Sequence, residues 1–451
     1  MGPQACDDVD CGENKVCVNN DDGVTTSCVC EDEFIAAGDA CVVDPCVSEP
    51  CHEKATCTPT ENSDFTCECN NGYSGDGLNC ITDNNVRHNL SNGATFIGEL
   101  TMEDIAFFKG IPYAADFTER WTASVAREAG GYEVAEHDFT VYGPMCMSKN
   151  AMSSQDNYDD FAEQCLNVNV MTKPEWLTDG TKHPILIYIH GGGFNSGSNR
   201  SKFTNLVNDQ NVMVVSVNYR LGPYGFFYDT KTPNVEGPRA NFGLLDQREA
   251  MKWVQNFGVE FGGDINQITV SGCSAGSDAT WWHLTEEKSW PYFNRAITNG
   301  VGLNAAYGSH DIEIASGQAQ YVIDNSECAG QPDADVIDCL RAIDDLDELN
   351  ELFRDATDNV YHPIKLALEP GWGPVIDGDF KSESLMDSVM NGNVKPNCPI
   401  SFNFARDDAW GFTNGGFRFV HLNNFRRSRN FTIFLYSHFN FKSMHRTHAC
   451  F

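Results

Sequence analysis

The stretch from Ile268 to Ser277, Ile-Thr-Val-Ser-Gly-Cys-Ser-Ala-Gly-Ser, has the residue types of a nucleophilic site. A β-branched run enters Gly272-Cys273-Ser274-Ala275-Gly276, and a helical segment follows. A serine on such a strand-to-helix turn presents its hydroxyl for attack on a carbonyl. The flanking glycines are needed because side chains there would collide with the strand and the helix. Gly-x-Ser-x-Gly alone is a weak signal, since both residue types are common. A serine nucleophile also needs a base, an acid to orient the base, and donors for the developing oxyanion.

Other parts of the chain could position these groups. Pro184-Ile-Leu-Ile-Tyr-Ile189 is a buried-strand run ending in His190-Gly191-Gly192-Gly193-Phe194. Glycines directly after such a strand let backbone N–H groups approach a substrate oxygen with no Cβ in the way. Val212 to Tyr219 is a second strand, and Leu244 to Phe257 is a helix with Ala250, Val254 and Phe257 at helical spacing. Strands alternating with helices predict an α/β class: a mostly parallel sheet covered on both faces.

Composition narrows the function classes. The 451 residues suffice for more than one domain, and 41% are hydrophobic. A formal net charge of −34 excludes nucleic acid as a partner, because that binding needs Lys and Arg against phosphates. No run of 18 apolar residues occurs, so no membrane span is expected. The 19 cysteines indicate an oxidising, extracellular setting, although Met1 to Cys6 lacks the apolar core of a signal peptide. The N-terminus is therefore expected to be incomplete.

Twelve of those cysteines form an internal repeat. Cys6, Cys11, Cys17, Cys28, Cys30 and Cys41 are spaced C-x4-C-x5-C-x10-C-x-C-x10-C. Cys46, Cys51, Cys57, Cys67, Cys69 and Cys80 follow as C-x4-C-x5-C-x9-C-x-C-x10-C. Segments this short cannot bury a core and must be held by disulfides. Spacing leaves the pairing open. The pattern resembles tandem EGF-like modules at 6–41 and 46–80, which implies Cys6–Cys17, Cys11–Cys28, Cys30–Cys41, Cys46–Cys57, Cys51–Cys67 and Cys69–Cys80. Neither module is preceded by an Asp-x-Asp/Asn-Glu run, so no calcium is expected. Their expected role is to space the following domain or to meet an extracellular protein partner. Residues 81–92 are polar and aperiodic, and are expected to be a linker.

From Gly93 onward several motifs stand in order: Gly110-Ile-Pro-Tyr-Ala, His190-Gly-Gly-Gly-Phe, Asn218-Tyr-Arg-Leu-Gly-Pro-Tyr-Gly-Phe, Asn241-Phe-Gly-Leu-Leu-Asp-Gln-Arg-Glu-Ala, Phe261-Gly-Gly-Asp and Gly272-Cys-Ser-Ala-Gly. Residues 93–417 resemble the type-B carboxylesterase (cholinesterase-like) family. The resemblance implies an α/β-hydrolase fold and hydrolysis of a small-molecule carboxylic ester, with no cofactor or metal. Ser274 matches the nucleophile. Gly192, Gly193 and Ala275 match the oxyanion donors. Asp408, with Asp407 as fallback, matches the acid. Cys146 with Cys165, and Cys328 with Cys339, match two family disulfides. The Cys146–Cys165 loop has no Trp, and choline-specific members use one for cation–π contact, so acetylcholine is not the expected substrate. Cys273 stands where many relatives carry Glu.

The family histidine has no match. His421, His438, His445 and His448 follow Asp408, but none lies in the expected Gly-x-x-His context. Residues 409–451 contain no Asp or Glu and six Lys or Arg. Residues 418–451 are therefore expected to be foreign to the family, with the C-terminal part of the domain missing. Asn89, Asn199 and Asn430 open glycosylation sequons. The alternative to an esterase is a non-catalytic, cholinesterase-like adhesion protein.

Overall fold

The computed structural model describes residues 10–403, apart from 21–24, 32–33, 38–39, 49, 53, 61–63, 72, 79, 83, 118, 129–130, 149–159, 232–237, 301–311 and 361–370. Asp407, Asp408, the four histidines above, Asn430, Cys6 and Cys450 lie outside these residues. The chain divides into two units, 1–87 and 88–451.

The first unit is built from antiparallel hairpins. Lys15–Asn19 pairs Thr26–Cys30, and Phe34–Ala37 pairs Ala40–Val43. The second repeat has the same plan: Ala55–Pro59 pairs Phe65–Cys69, and Tyr73–Gly75 pairs Cys80–Thr82. Disulfides Cys11–Cys28, Cys30–Cys41, Cys46–Cys57, Cys51–Cys67 and Cys69–Cys80 join them. Cys17 is also disulfide-bonded. Gly77, at φ +80°, leaves no room for a side chain beside the Cys67 backbone. That close approach explains the glycine in the final loop of the second module.

The second unit contains a ten-stranded sheet. Its strands are β1 (Asn85–Asn89), β2 (Thr95–Leu100), β3 (Ala106–Pro112), β4 (Glu136–Asp138), β5 (Asn167–Thr172), β6 (His183–Ile189), β7 (Met213–Val217), β8 (Gly263–Cys273), β9 (Arg295–Asn299) and β10 (Ile400–Asn403). The order is β4-β2-β3-β5-β7-β6-β8-β9-β10, with β1 beside β2. The block β7-β6-β8-β9-β10 is parallel throughout. On the other side, β7 to β5, β5 to β3 and β3 to β2 are antiparallel. Central strands are apolar on both faces, as a covered parallel sheet requires: β7 is buried at every residue.

β1 departs from the linker expected at 81–92. Val86 and His88 face inward, giving a two-residue period that a polar sequence hides.

Helix α1 (Thr204–Gln210) connects β6 to β7. Helices α2 (Gly222–Phe226) and α3 (Phe242–Phe257) lead back to β8. β7 and β8 therefore flank β6 on opposite sides. The chain reverses direction across the sheet at β6, and in open α/β sheets such a switch point places the ligand site outside the carboxyl ends of the flanking strands, here β6 and β8. Helix α4 (Ala275–Leu284) leaves β8 and is buried at every residue.

A buried ion pair fixes the β7 exit to α3. Arg220 donates through Nε and Nη2 to Asp246 at 2.8 and 2.7 Å. The guanidinium also lies over the Phe117 and Phe242 rings. Disulfides Cys146–Cys165 and Cys328–Cys339 both form. Among the described residues Cys398 is the free thiol, and burial pushes its pKa up to about 11. No helix among the described residues is long and apolar enough to cross a membrane.

Candidate active site

Ser274 lies between β8 and α4 with φ 55° and ψ −124°. Left-handed φ in a residue with a Cβ is strained, and such strain concentrates at functional positions. Several contacts enforce the turn. The Ser274 N–H donates to the Asn299 carbonyl of β9 at 3.0 Å, and the Ser274 carbonyl accepts from Ser277 and Asp278 N–H. A side chain at Gly272 would run into the Gly276 carbonyl, and one at Gly276 into the Ile189 carbonyl. Both glycines of the motif are therefore required sterically.

The loop after β6 lies against this serine. A side chain on Gly191 would meet the Cys273 carbonyl and approach the Ser274 Cβ at 3.1 Å. Gly192 has φ +111° and Gly193 φ +62°. The Gly192 carbonyl turns into its own loop, accepting from Asn195 N–H, Ser196 N–H and Ser196 Oγ at 3.0 to 3.1 Å. In a trans peptide the C=O and the next N–H point in opposite directions, so the Gly193 N–H points out of the loop. A Cβ on Gly193 would have no atom within 4 Å, so that side is open. Among the described residues no acceptor meets the N–H of Gly192, Gly193 or Ala275. Free N–H groups beside a serine hydroxyl can take a developing oxyanion.

Buried asparagines anchor the far end of this loop at Asn199. Asn199 donates through Nδ2 to Oδ1 and the backbone carbonyl of Asn167 at 2.9 and 3.1 Å, while its N–H donates to Asn218 Oδ1. Its carbonyl accepts from Asn169 Nδ2 and Ser216 Oγ. The glycosylation expected at Asn199 is thereby corrected. Its side chain is 2% exposed and its amide is committed inside the fold, leaving no face for a sugar. Asn89 is exposed.

Two histidines near the site are structural. The His190 ring stacks on Tyr219 and its Nδ1 lies 2.8 Å from the Gly191 carbonyl. Burial lowers its pKa to about 4. His283, on α4, bonds Ser289 Oγ through Nδ1 and Gln247 Oε1 through Nε2 at 2.9 and 3.0 Å. Burial lowers its pKa to about 3. With both ring nitrogens engaged, His283 has no free nitrogen to take the Ser274 proton.

Sequence reasoning missed Asp278, one helical turn after Ser274. Its carboxyl is buried and its Oδ2 unpartnered, and burial raises its pKa well above the usual range. Burial thus favours its neutral form over the carboxylate. Asn195 and Asn241 were also missed. No signal distinguishes these asparagines, because their partners come from distant segments. Among the described residues no group of His, Cys, Asp and Glu could hold a metal.

Residues 93–442 match the model of the carboxylesterase family, past the boundary set at 417 from sequence, and residues 46–80 match an EGF-domain model. Acetylcholinesterase 1 of Caenorhabditis elegans is 33% identical over 242 residues, covering 52% of this chain and 37% of that protein. Cholinesterase of Mus musculus is 33% identical over 245 residues, covering 52% and 38%. Fumonisin B1 esterase of Sphingopyxis macrogoltabida is 29% identical over 337 residues, covering 73% and 57%. The carboxylesterase EST55 of Geobacillus stearothermophilus aligns in three dimensions with TM-score 0.60 at 26% identity, covering 72% of this chain and 63% of that one. The chain thus spans under two-fifths of the length of these cholinesterases. With the motifs in order and the sheet, elbow and glycine loop in place, the chain belongs to the carboxylesterase family, with an EGF-like region before the catalytic-type domain.

Proposed function

We propose that this protein is an extracellular serine hydrolase of small-molecule carboxylic esters. The observation that carries the reading is Ser274, held in a strained left-handed turn against a glycine loop with unpartnered N–H groups. Ser274 Oγ attacks the ester carbonyl and gives its proton to a histidine base. The carbonyl electrons move onto oxygen, which the N–H groups of Gly192, Gly193 and Ala275 receive. Collapse expels the alcohol, which takes the proton from the histidine. Water then cleaves the acyl-enzyme by the same steps and restores the serine. Asp408 follows β10 by five residues in sequence, suiting an acid at the carboxyl end of a strand. The base comes from outside the described residues. The disulfide-dense first unit supports an oxidising compartment, where it would space the enzyme from a surface or meet a protein partner.

Labelling with a fluorophosphonate probe tests this directly. Folded full-length chain should label, and Ser274→Ala should not. Absence of labelling on the folded wild type would overturn the esterase reading and leave an adhesion role for the same fold.

A further inference from the structure

We infer that Asn195 is a positioning residue that couples the oxyanion loop to the segment carrying Trp372; this rests on the esterase reading above. Asn195 lies two residues after Gly193, and its side chain makes three hydrogen bonds. Nδ2 donates to the Gly193 carbonyl at 2.6 Å and to the Trp372 carbonyl at 2.7 Å. Oδ1 accepts from the Trp372 N–H at 3.0 Å. Both amide hydrogens are used, and the oxygen faces the only donor, so the amide has one orientation that satisfies all three.

The partner segment needs such a clamp. Residues 371–377 form no helix or named strand, and their backbone groups must find partners elsewhere. Two asparagines supply them in the same way. Asn195 reads the N–H and C=O of Trp372. Asn241, at the start of α3, reads the N–H and C=O of Val375, both at 2.8 Å. Each amide stands in for a neighbouring strand. The fit at Asn195 is close: a side chain on Gly371 would collide with its amide.

The consequence follows from the glycines. Gly192 and Gly193 hold positive φ, and glycine does not resist changes in backbone angle. The loop therefore needs an outside reference to keep its N–H groups aimed. Trp372 provides one, since its indole is 3% exposed, stacks on Phe227 and packs edge-on to Phe353. Asn195 transmits that rigidity to the Gly193 carbonyl, on the same residue as the outward N–H. It touches no reacting atom and acts through Gly193.

The test is the concentration dependence of fluorophosphonate labelling on the full chain. Asn195→Asp keeps the shape but sets a carboxylate oxygen against two carbonyls. It should lower the saturating rate by about 10- to 100-fold with little change in the half-saturating concentration, as a displaced oxyanion group does. Gly371→Ala should slow labelling in the wild-type background but add nothing in Asn195→Ala, because its target is then gone. A wild-type saturating rate in Asn195→Asp would overturn the coupling. So would a loss that only tracks the folded fraction measured by near-UV circular dichroism. If the wild type itself fails to label, the esterase reading has failed, and amide exchange decides the coupling. Faster exchange at Trp372 in Asn195→Ala supports it, and unchanged exchange overturns it.

Discussion

The two units of this chain solve the same problem by different means. In the hairpins of the first unit, residues 10–82, only Gly77 and Cys80 are buried among the described residues. Five described disulfides hold its hairpins instead. In the second, two described disulfides accompany a sheet whose central strands carry Ile185, Ile187, Ile189, Val214 and Val215 at no exposure. Short modules bury too small a fraction of their surface, so cross-links must restrict the unfolded chain. A long α/β chain buries enough apolar surface to support a strained serine turn and unpartnered N–H groups. The site is therefore in the unit with the core.

The largest expected effect separates the two mechanisms outright. Reduction with a thiol should unfold residues 10–82, since each bridge contributes about 2–5 kcal/mol and little else holds the region. The sheet of the second unit should persist. Hydrogen exchange under reductant checks this, and loss of protection in β6 to β8 before the hairpins would break the contrast.

Next in size is the Arg220–Asp246 pair. Asp246→Asn leaves a guanidinium buried without its carboxylate, at a cost of about 3–5 kcal/mol. The denaturant midpoint of the second unit should fall, while proteolytic resistance of the hairpins stays as it was. Equal loss in both units would show that they unfold together.

A single bridge should matter less. Replacing Cys51 and Cys67 together with Ala opens a loop of sequence separation 16, worth about 3 kcal/mol. Local exchange should rise in 46–80 only, with Ser274 labelling unchanged.

Per pH unit, the smallest effect is the acid limb of the second unit. The unfolded His283 takes up its proton near pH 6.5, and the folded ring only near 3. Its contribution is thus fully present above pH 6.5 and is lost as pH falls from there toward 3. Buried Asp278 acts oppositely, because its raised pKa costs stability as pH rises above the ordinary carboxylate range. The difference in unfolding free energy between wild type and His283→Asn isolates the histidine. It should shrink by up to about 1.4 kcal/mol per pH unit below 6.5. A pH-independent difference would remove the buried-neutral reading of this ring.

Much of the molecule was legible from residue types and local spacing. The cysteine repeat carried its period directly, because each module is held by contacts between residues few positions apart. The elbow was legible because Gly272 and Gly276 answer a steric demand set within five residues. The glycine loop was legible because a tri-glycine run after an apolar strand has few other uses.

Other features depend on segments far apart in the chain. The strand at Asn85–Asn89 is polar in sequence and becomes a strand only because β2 offers it an edge. Asn199 satisfies a sequon rule written in three residues, yet its burial is set by Asn167 at the start of β5 and Asn218 just past the end of β7. Asn195 and Trp372 are 177 positions apart, and no local pattern announces their pairing. The sequence by itself determined which residues can do chemistry, since that depends on side-chain type and short-range sterics. Only the tertiary structure decided which of them are anchored, buried or neutral, since hydrogen bonding and desolvation are set by whatever the fold brings alongside.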